Sequence, residues 1–142
     1  MWYNPIIKLL LLSPLHGFAS RDILLLEYIG RKSGKKYTVP LSYVKDEADY
    51  LMLSLRRRVW WRNMRSEMPV RMRVRGKWIE GVGQAVEERV TAAKDLGIYI
   101  QSQSYLAQHF DIRMEEGIPN PEDLFRETEK RLMVRVHTNP ES

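Results

Sequence analysis

Short runs that alternate apolar and polar residues, separated by turn residues, fill much of the first 86 positions. Residues 70–75 (VRMRVR) show the pattern most clearly, because a period of two places the arginines on one face of a strand and the apolar side chains on the other. Gly76 then closes a hairpin to the next run. On similar grounds we predict six strands, at residues 22–29, 37–44, 50–55, 70–75, 77–86 and 131–137.

Proline and glycine refine this picture of the strands. Pro40 lacks an N–H donor, so it favours a sheet edge or a bulge in the second strand. Gly81 and Gly83 indicate a bend, a bulge or the close approach of another backbone in the fifth strand. Strands that follow one another through tight turns predict an antiparallel sheet that curls into a barrel.

The later part of the chain has a helical pattern. Apolar residues in 87–110 recur at three- and four-residue spacing, which predicts a helical region with a break near Gly97. Asn120 and Pro121 form a helix-start signal in the polar segment 119–131. We expect these helices to lie across the barrel, so the predicted fold class is α+β and mainly β.

Length and composition fit one domain spanning residues 1–142. The chain has no cysteine, which excludes disulfides and thiolate metal sites and fits a reducing cytosol. The apolar run Ile6–Leu12 contains Lys8 and is shorter than the roughly 20 residues that span a bilayer. We predict a short helix opening near Asn4 and Pro5, whose apolar side covers an open end of the core or rests on a membrane surface.

The positive charge is concentrated in one part of the chain. Residues 31–77 hold 14 Lys and Arg against 4 Asp and Glu, whereas the rest of the chain is net acidic. Such a region attracts anions, among them phosphates, nucleic acid, acidic lipids or an acidic cofactor tail, although a solvated basic surface explains the charge equally well.

The turn at residues 30–36 (GRKSGKK) concentrates this charge between two predicted strands. It offers two glycines, a hydroxyl and four cations, so its backbone amides can converge on an anion while arginine and lysine neutralise the charge. The spacing and following helix of a Walker loop are absent, and a plain hairpin turn with solubilising lysines is the alternative.

Several segments together resemble one family. Residues 24–35 (LLLEYIGRKSGK) and Val39–Tyr43 carry the main likeness, and the lead-in Ser13–Gly17, Ser54 and the segment Trp60–Asn63 follow in the same order. This combination resembles the deazaflavin-dependent nitroreductase family, within the split β-barrel flavin and deazaflavin oxidoreductases.

The resemblance implies a six-stranded antiparallel split β-barrel, often dimeric, with an N-terminal helix and C-terminal covering helices. It implies coenzyme F-420, an 8-hydroxy-5-deazaflavin, as the cofactor, with FMN as the alternative. It places the cofactor on the basic turn and the neighbouring strand, that is, on Arg31, Lys32, Ser33, Lys36, Pro40, Leu41 and Tyr43. Further predicted cofactor contacts are Ser54, Arg56, Arg57, Trp61 and Asn63.

The chain departs from this family pattern at residues 55–59 (LRRRV), where many relatives have a longer glycine-rich loop. An arginine-rich loop suits any acidic tail or dinucleotide phosphate, so both cofactors stay open. The resemblance also implies that Tyr105 or His109, on a covering helix, donates a hydrogen bond or proton to the substrate. The competing interpretation is that these aromatic residues belong to the core.

The predicted function is that of an oxidoreductase which transfers hydride from reduced coenzyme F-420, or from a flavin, to a small apolar acceptor such as a quinone or nitroaromatic. A deazaflavin carries the hydride itself, so the lack of a recognisable triad or metal motif agrees with this chemistry. We expect a cytoplasmic homodimer that binds no metal and no nucleic acid, with the N-terminal helix as a potential membrane contact. The alternatives are a non-catalytic cofactor carrier of the same fold and a nucleic-acid module in which Arg71, Arg73 and Arg75 form a basic stripe beside Trp78 or Tyr43.

Overall fold

The computed structural model describes residues 23–138. The predicted N-terminal helix and the Ser13–Gly17 lead-in lie outside the described residues. Six long strands form the body of the protein: β1 Ile23–Ile29, β2 Lys36–Asp46, β3 Asp49–Leu55, β4 Met68–Val74, β5 Lys77–Val86 and β8 Arg131–His137. The other elements are a 3-10 helix Trp60–Met64, α1 Arg89–Ser102, α2 Leu106–His109, α3 Pro121–Glu127 and the two short strands β6 Met114–Glu115 and β7 Ile118–Pro119.

The six long strands close into an antiparallel barrel in the order β1-β2-β3-β8-β5-β4. Side chains along β4 alternate between the barrel core and the outer face, as the sequence predicts. Val70 and Met72 are buried in the barrel, whereas Arg71 and Arg73 are only half-buried. The mainly β barrel fold is therefore confirmed. Gly81 marks a close backbone approach, since a Cβ there would lie 2.9 Å from the carbonyl oxygen of His137.

Pairing is incomplete at two places in the barrel. β2 pairs with β1 through residues 36–42 but with β3 only through residues 43–46, so β2 and β3 separate beyond the pair Tyr43 and Met52. We call this gap the first opening. Pro40 lies on the stretch of β2 that has a strand on one side, which confirms the edge that its missing N–H predicts.

The second opening lies on the other side of the same hairpin. β1 pairs with β4 only from Leu25 to Glu27, and the end of β1 then separates from the start of β4. The β1–β2 hairpin thus carries the basic turn at its tip and has one opening on each flank.

The helices cover one side of the barrel over a second apolar core, which includes Leu51, Met133, Leu96 and Ile100. The predicted break at Gly97 is wrong: α1 continues through it, and Gly97 instead lets Leu124 of α3 approach, because a Cβ there would lie 3.2 Å from Leu124 Cδ1. The break falls at Gln103. Within residues 23–138, no helix combines the length and apolar character needed to cross a bilayer.

A network of charged side chains joins α1 to the barrel. Arg135 on β8 donates to Asp95 of α1 at 2.8 Å, to Asp49 at 2.6 Å and to Asp46 at 3.1 Å. His137 Nδ1 lies 2.5 Å from the other oxygen of Asp49. Asp95 is 4% exposed, so its carboxylate depends on Arg135 for compensation of its charge.

Candidate functional site

A cleft of about 730 Å³ occupies the first opening. We call it the first cleft, and its lining residues are Val39, Pro40, Leu41, Leu53, Ser54, Leu55, Arg57, Arg58, Val59 and Trp60. Its walls are mostly apolar, its volume suits a small-molecule or cofactor site, and its cations come from the loop that follows β3. The cleft exists because β2 and β3 diverge. Residues 39–42 of β2 pair with β1 on one side but have no strand on the side that faces β3.

The three consecutive arginines of that loop have different roles. Arg56 is anchored to the protein, because its Nε donates to Thr128 O at 2.7 Å and its Nη2 to Glu87 O at 2.8 Å. Arg57 and Arg58 are exposed, and neither side chain has a hydrogen bond or ion pair with another residue in the described part of the chain. Arg56 therefore fixes the loop, whereas Arg57 and Arg58 are available to a ligand.

One of the two glycines of the basic turn, Gly34, has the unusual backbone angle that the sequence predicts, and Gly30 does not. The amide of Gly34 donates to Gly30 O at 2.8 Å, and Gly34 has a φ of 69°, which favours glycine. Ser33 Oγ accepts from the Lys35 amide at 3.2 Å. Lys32 and Lys35 are exposed and, among residues 23–138, unpaired, whereas Lys36 Nζ lies 3.9 Å from Glu27.

Arg31 and Asn63 connect the basic turn to the 3-10 helix. Arg31 Nε donates to Asn63 O at 2.6 Å, and the Arg31 amide donates to Asn63 Oδ1 at 3.0 Å. Asn63 Nδ2 donates to Trp60 O at 2.9 Å. Both predicted cofactor ligands are thus engaged with the protein's own backbone, next to the cleft rather than in its lining.

The two tryptophans of the 3-10 helix are both buried, and Trp60 rather than Trp61 lines the first cleft. The ring of Trp61 lies beneath Arg62 and Arg65, whose guanidinium carbons are 5.6 and 5.0 Å from its centroid. Its Nε1 is buried and finds no acceptor among the described residues. The lining also contains six residues beyond the predicted cofactor contacts, namely Val39, Leu53, Leu55, Arg58, Val59 and Trp60. The arginine run is the one signal for Arg58.

Tyr43, Tyr105 and His109 lie away from the first cleft. Tyr43 O accepts from Gln103 Nε2 at 3.2 Å, and Tyr105 Oη donates to Gln103 Oε1 at 2.8 Å, so these residues meet where β2 pairs with β3. Tyr105 is 63% exposed, and His109 is exposed at the end of α2. The structure therefore links Tyr105 through Gln103 to one predicted cofactor residue, Tyr43, but brings neither Tyr105 nor His109 into the lining of the first cleft.

The second opening holds another cleft of about 700 Å³, lined by Glu27, Tyr28, Ile29, Pro69, Val70, Arg71, Glu80, Gly81, Val82 and His137. We call it the second cleft. Burial raises the pKa of the Tyr28 phenol, and the hydrogen bond to Glu27 raises the pKa of Arg71. The guanidiniums of Arg71 and Arg73 lie 4.4 and 5.5 Å from the ring centre of Trp78. Across residues 23–138, no group of three or more His, Asp or Glu side chains is arranged to hold a metal ion.

Solved structures share this barrel. One described as a domain-swapped dimer is 20% identical with a TM-score of 0.56, over 83% of this chain and 81% of that one. The heme storage protein HutZ from Vibrio cholerae is 14% identical with a TM-score of 0.51, over 98% and 92%. An F-420-H2 dependent reductase is 22% identical with a TM-score of 0.50, over 82% and 95%. At these identities the likeness shows the fold, a barrel of the flavin and deazaflavin reductase kind.

One family model matches the chain over a range that includes all of the described residues. The family model described as F-420H(2)-dependent quinone reductase matches residues 15–139, and the search of curated proteins gives no match. The chain belongs to this family, and it is an oxidoreductase that uses the deazaflavin coenzyme F-420. The resemblance to deazaflavin-dependent reductases is confirmed.

Proposed function

We propose that this protein reduces a small apolar acceptor, a quinone or a nitroaromatic, with reduced coenzyme F-420 held in the first cleft. One observation carries the proposal: an apolar cleft of about 730 Å³ opens beside a free strand edge, with the unpaired cations Arg57 and Arg58 in its lining. An apolar cleft suits a planar ring system, and unpaired cations suit an anionic tail.

Two groups of residues would bind different anionic parts of the cofactor. The exposed side chains of Lys32 and Lys35 on the basic turn, together with the Ser33 hydroxyl, suit a phosphate. Arg57 and Arg58 would neutralise acidic groups further along the tail. Lys36 would add positive charge from its position near Glu27.

The ring would lie between the β2 segment Pro40–Leu41 and the wall made by Ser54 and Trp60. The bound reduced deazaflavin supplies the hydride, and the protein must bind it, orient it and exclude water. The largely apolar lining favours an acceptor without charge. The role predicted for Tyr105 and His109 stays a prediction, and it requires an acceptor that reaches the covering helices.

Two alternatives carry less support. FMN has a phosphate that the same cations would bind, so it is the comparison ligand in the test below. A nucleic-acid site on the arginine stripe is disfavoured because Arg71 forms a two-point ion pair with Glu27, at 2.9 and 3.3 Å, and also stacks on Trp78. These contacts engage Arg71 within the protein, and the guanidinium of Arg73 lies over the same Trp78 ring.

The proposal predicts tight binding of coenzyme F-420 and weaker binding of FMN, measured by calorimetry on the purified full chain. It also predicts that the protein oxidises reduced coenzyme F-420 when menadione or a nitroaromatic is added, followed by the absorbance of the oxidised deazaflavin. Binding without turnover with either acceptor class would contradict the acceptor assignment. Preference for FMN would contradict placement of the deazaflavin in this cleft.

We also propose a cytoplasmic homodimer. Ile29 and Val82, in the lining of the second cleft, are 43% and 39% exposed, and a second copy would cover them. A relative of this fold is described as a domain-swapped dimer. Light scattering is expected to give twice the mass of one chain, and the mass of a single chain at micromolar concentration would contradict the dimer.

The predicted membrane contact through the N-terminal helix lies outside the described residues.

A further inference from the structure

We propose that Arg31 is a positioning residue that clasps the second opening and holds the wall of the first cleft, instead of binding the cofactor phosphate directly. The inference rests on the proposed function for the identity of the ligand. It rests on the contacts of Arg31 for everything else.

The side chain of Arg31 reaches across to the segment that precedes β4. Besides its Nε bond to Asn63 O, its Nη2 donates to Ser66 O at 2.9 Å and to Glu67 O at 3.3 Å. Three of the five guanidinium N–H donors are therefore used on backbone carbonyls. A plain surface arginine rarely holds three carbonyl oxygens of another segment in one geometry, because that ordering costs side-chain entropy.

These contacts stand where strand pairing has stopped. The β1–β4 register ends at the pair Glu27 and Arg71, and continuing it by four residues on each strand would place Arg31 opposite Glu67. Arg31 bonds to this residue and to its neighbour Ser66 through its side chain. The guanidinium thus links the two segments beyond the point where their backbone pairing ends.

We call the bonds of the Arg31 side chain to residues 63–67 the clasp, and Asn63 connects it to the first cleft. The Arg31 amide donates to Asn63 Oδ1, and Asn63 Nδ2 donates to the carbonyl of Trp60, whose side chain lines the cleft. One residue of the basic turn therefore fixes the turn and the cleft wall relative to each other. The side-chain ammonium groups of Lys32 and Lys35 have no partner in the described chain and stay available to the anion.

The test compares Arg31→Ala with Lys32→Ala and measures coenzyme F-420 affinity at several salt concentrations. Removal of a direct ligand lowers both the affinity and its salt dependence, because salt screens exposed charges. Removal of a clasp lowers the affinity and leaves the salt dependence intact. We expect roughly tenfold weaker binding for each variant, with a reduced salt slope for Lys32→Ala alone.

The ligand-free protein gives a second readout. Arg31→Ala is expected to lower the melting temperature and shift tryptophan emission, since Trp60 loses its support through Asn63, whereas Lys32→Ala should change neither. Arg31→Lys should not restore the emission, because a single ammonium cannot replace a planar fork on three carbonyls. If Arg31→Ala fails to fold, Arg31→Gln, which removes the charge and keeps a polar side chain, carries the same comparison.

Two results would overturn the clasp. One is a salt slope for Arg31→Ala that falls as far as that of Lys32→Ala, with melting temperature and emission unchanged. The other is full restoration of both ligand-free readouts by Arg31→Lys. Failure of the proposed function looks different: the unmodified protein would not bind coenzyme F-420, while the stability and emission of the Arg31 variants would still support or reject the clasp.

Discussion

Replacing Arg57 and Arg58 together by alanine is expected to raise the dissociation constant for coenzyme F-420 by about 30-fold. Two exposed charge-assisted contacts contribute about 1 kcal/mol each after solvent screening, and tenfold in affinity corresponds to about 1.4 kcal/mol. Both side chains line the first cleft and have no partner in residues 23–138, so their removal should leave the melting temperature unchanged. Calorimetry gives the affinity and a thermal melt gives the stability.

The matched control is Lys77→Ala with Lys94→Ala, which removes two exposed cations that do not line the first cleft. It changes the net charge by the same amount, so it reports any long-range effect of charge on cofactor binding. Equal weakening in both double variants would show that overall charge, rather than the cleft, attracts the cofactor. Arg56→Ala is unsuitable here because it breaks the bonds that hold the loop.

Arg135→Ala is expected to lower the free energy of unfolding by about 3–5 kcal/mol, which is the usual effect of removing one partner of a buried charge pair. The variant leaves the buried carboxylate of Asp95 without its guanidinium and frees Asp46 and Asp49 from theirs. α1 also loses an anchor to β8. Urea unfolding followed by circular dichroism measures the change.

Neutralisation of Asp95 distinguishes lost charge compensation from lost packing. Asp95→Asn in the Arg135→Ala background should recover a large part of the loss, because an amide is far less costly to bury than an unpaired carboxylate. No recovery would mean that the aliphatic part of Arg135, packed between sheet and helix, supplies the stability.

The strands could be predicted from the sequence because their signal is local. Alternation in residues 70–75 fixes which side chains enter the barrel, and the bounds of β5 and β8 agree with the prediction. The break in the helical region could not be located, since Gly97 is a weak helix former but here permits packing of α3 on α1. Tertiary contact overrides local propensity at that position.

The candidate site was predictable in composition but not in detail. The loop after β3 lines the first cleft, Pro40 marks its strand edge, and the basic turn is linked to its wall through Arg31 and Asn63. The separate roles of Arg56, Arg57 and Arg58 depend on the direction of each side chain. Three consecutive arginines in a sequence do not show which of them points toward the protein. Arg31 is similar, because its partners at residues 63–67 become neighbours only when the barrel closes.

The β1–β2 hairpin is a partition between two cavities. One strand borders the first cleft and the other borders the second, and paired strands lie only about 5 Å apart. A molecule bound in either cleft contacts this two-stranded hairpin. A displacement of the hairpin by that molecule would therefore change the shape of the other cleft directly, without rearrangement of the barrel interior. If the cofactor binds in the first cleft as proposed, a molecule in the second cleft is its close neighbour across the hairpin.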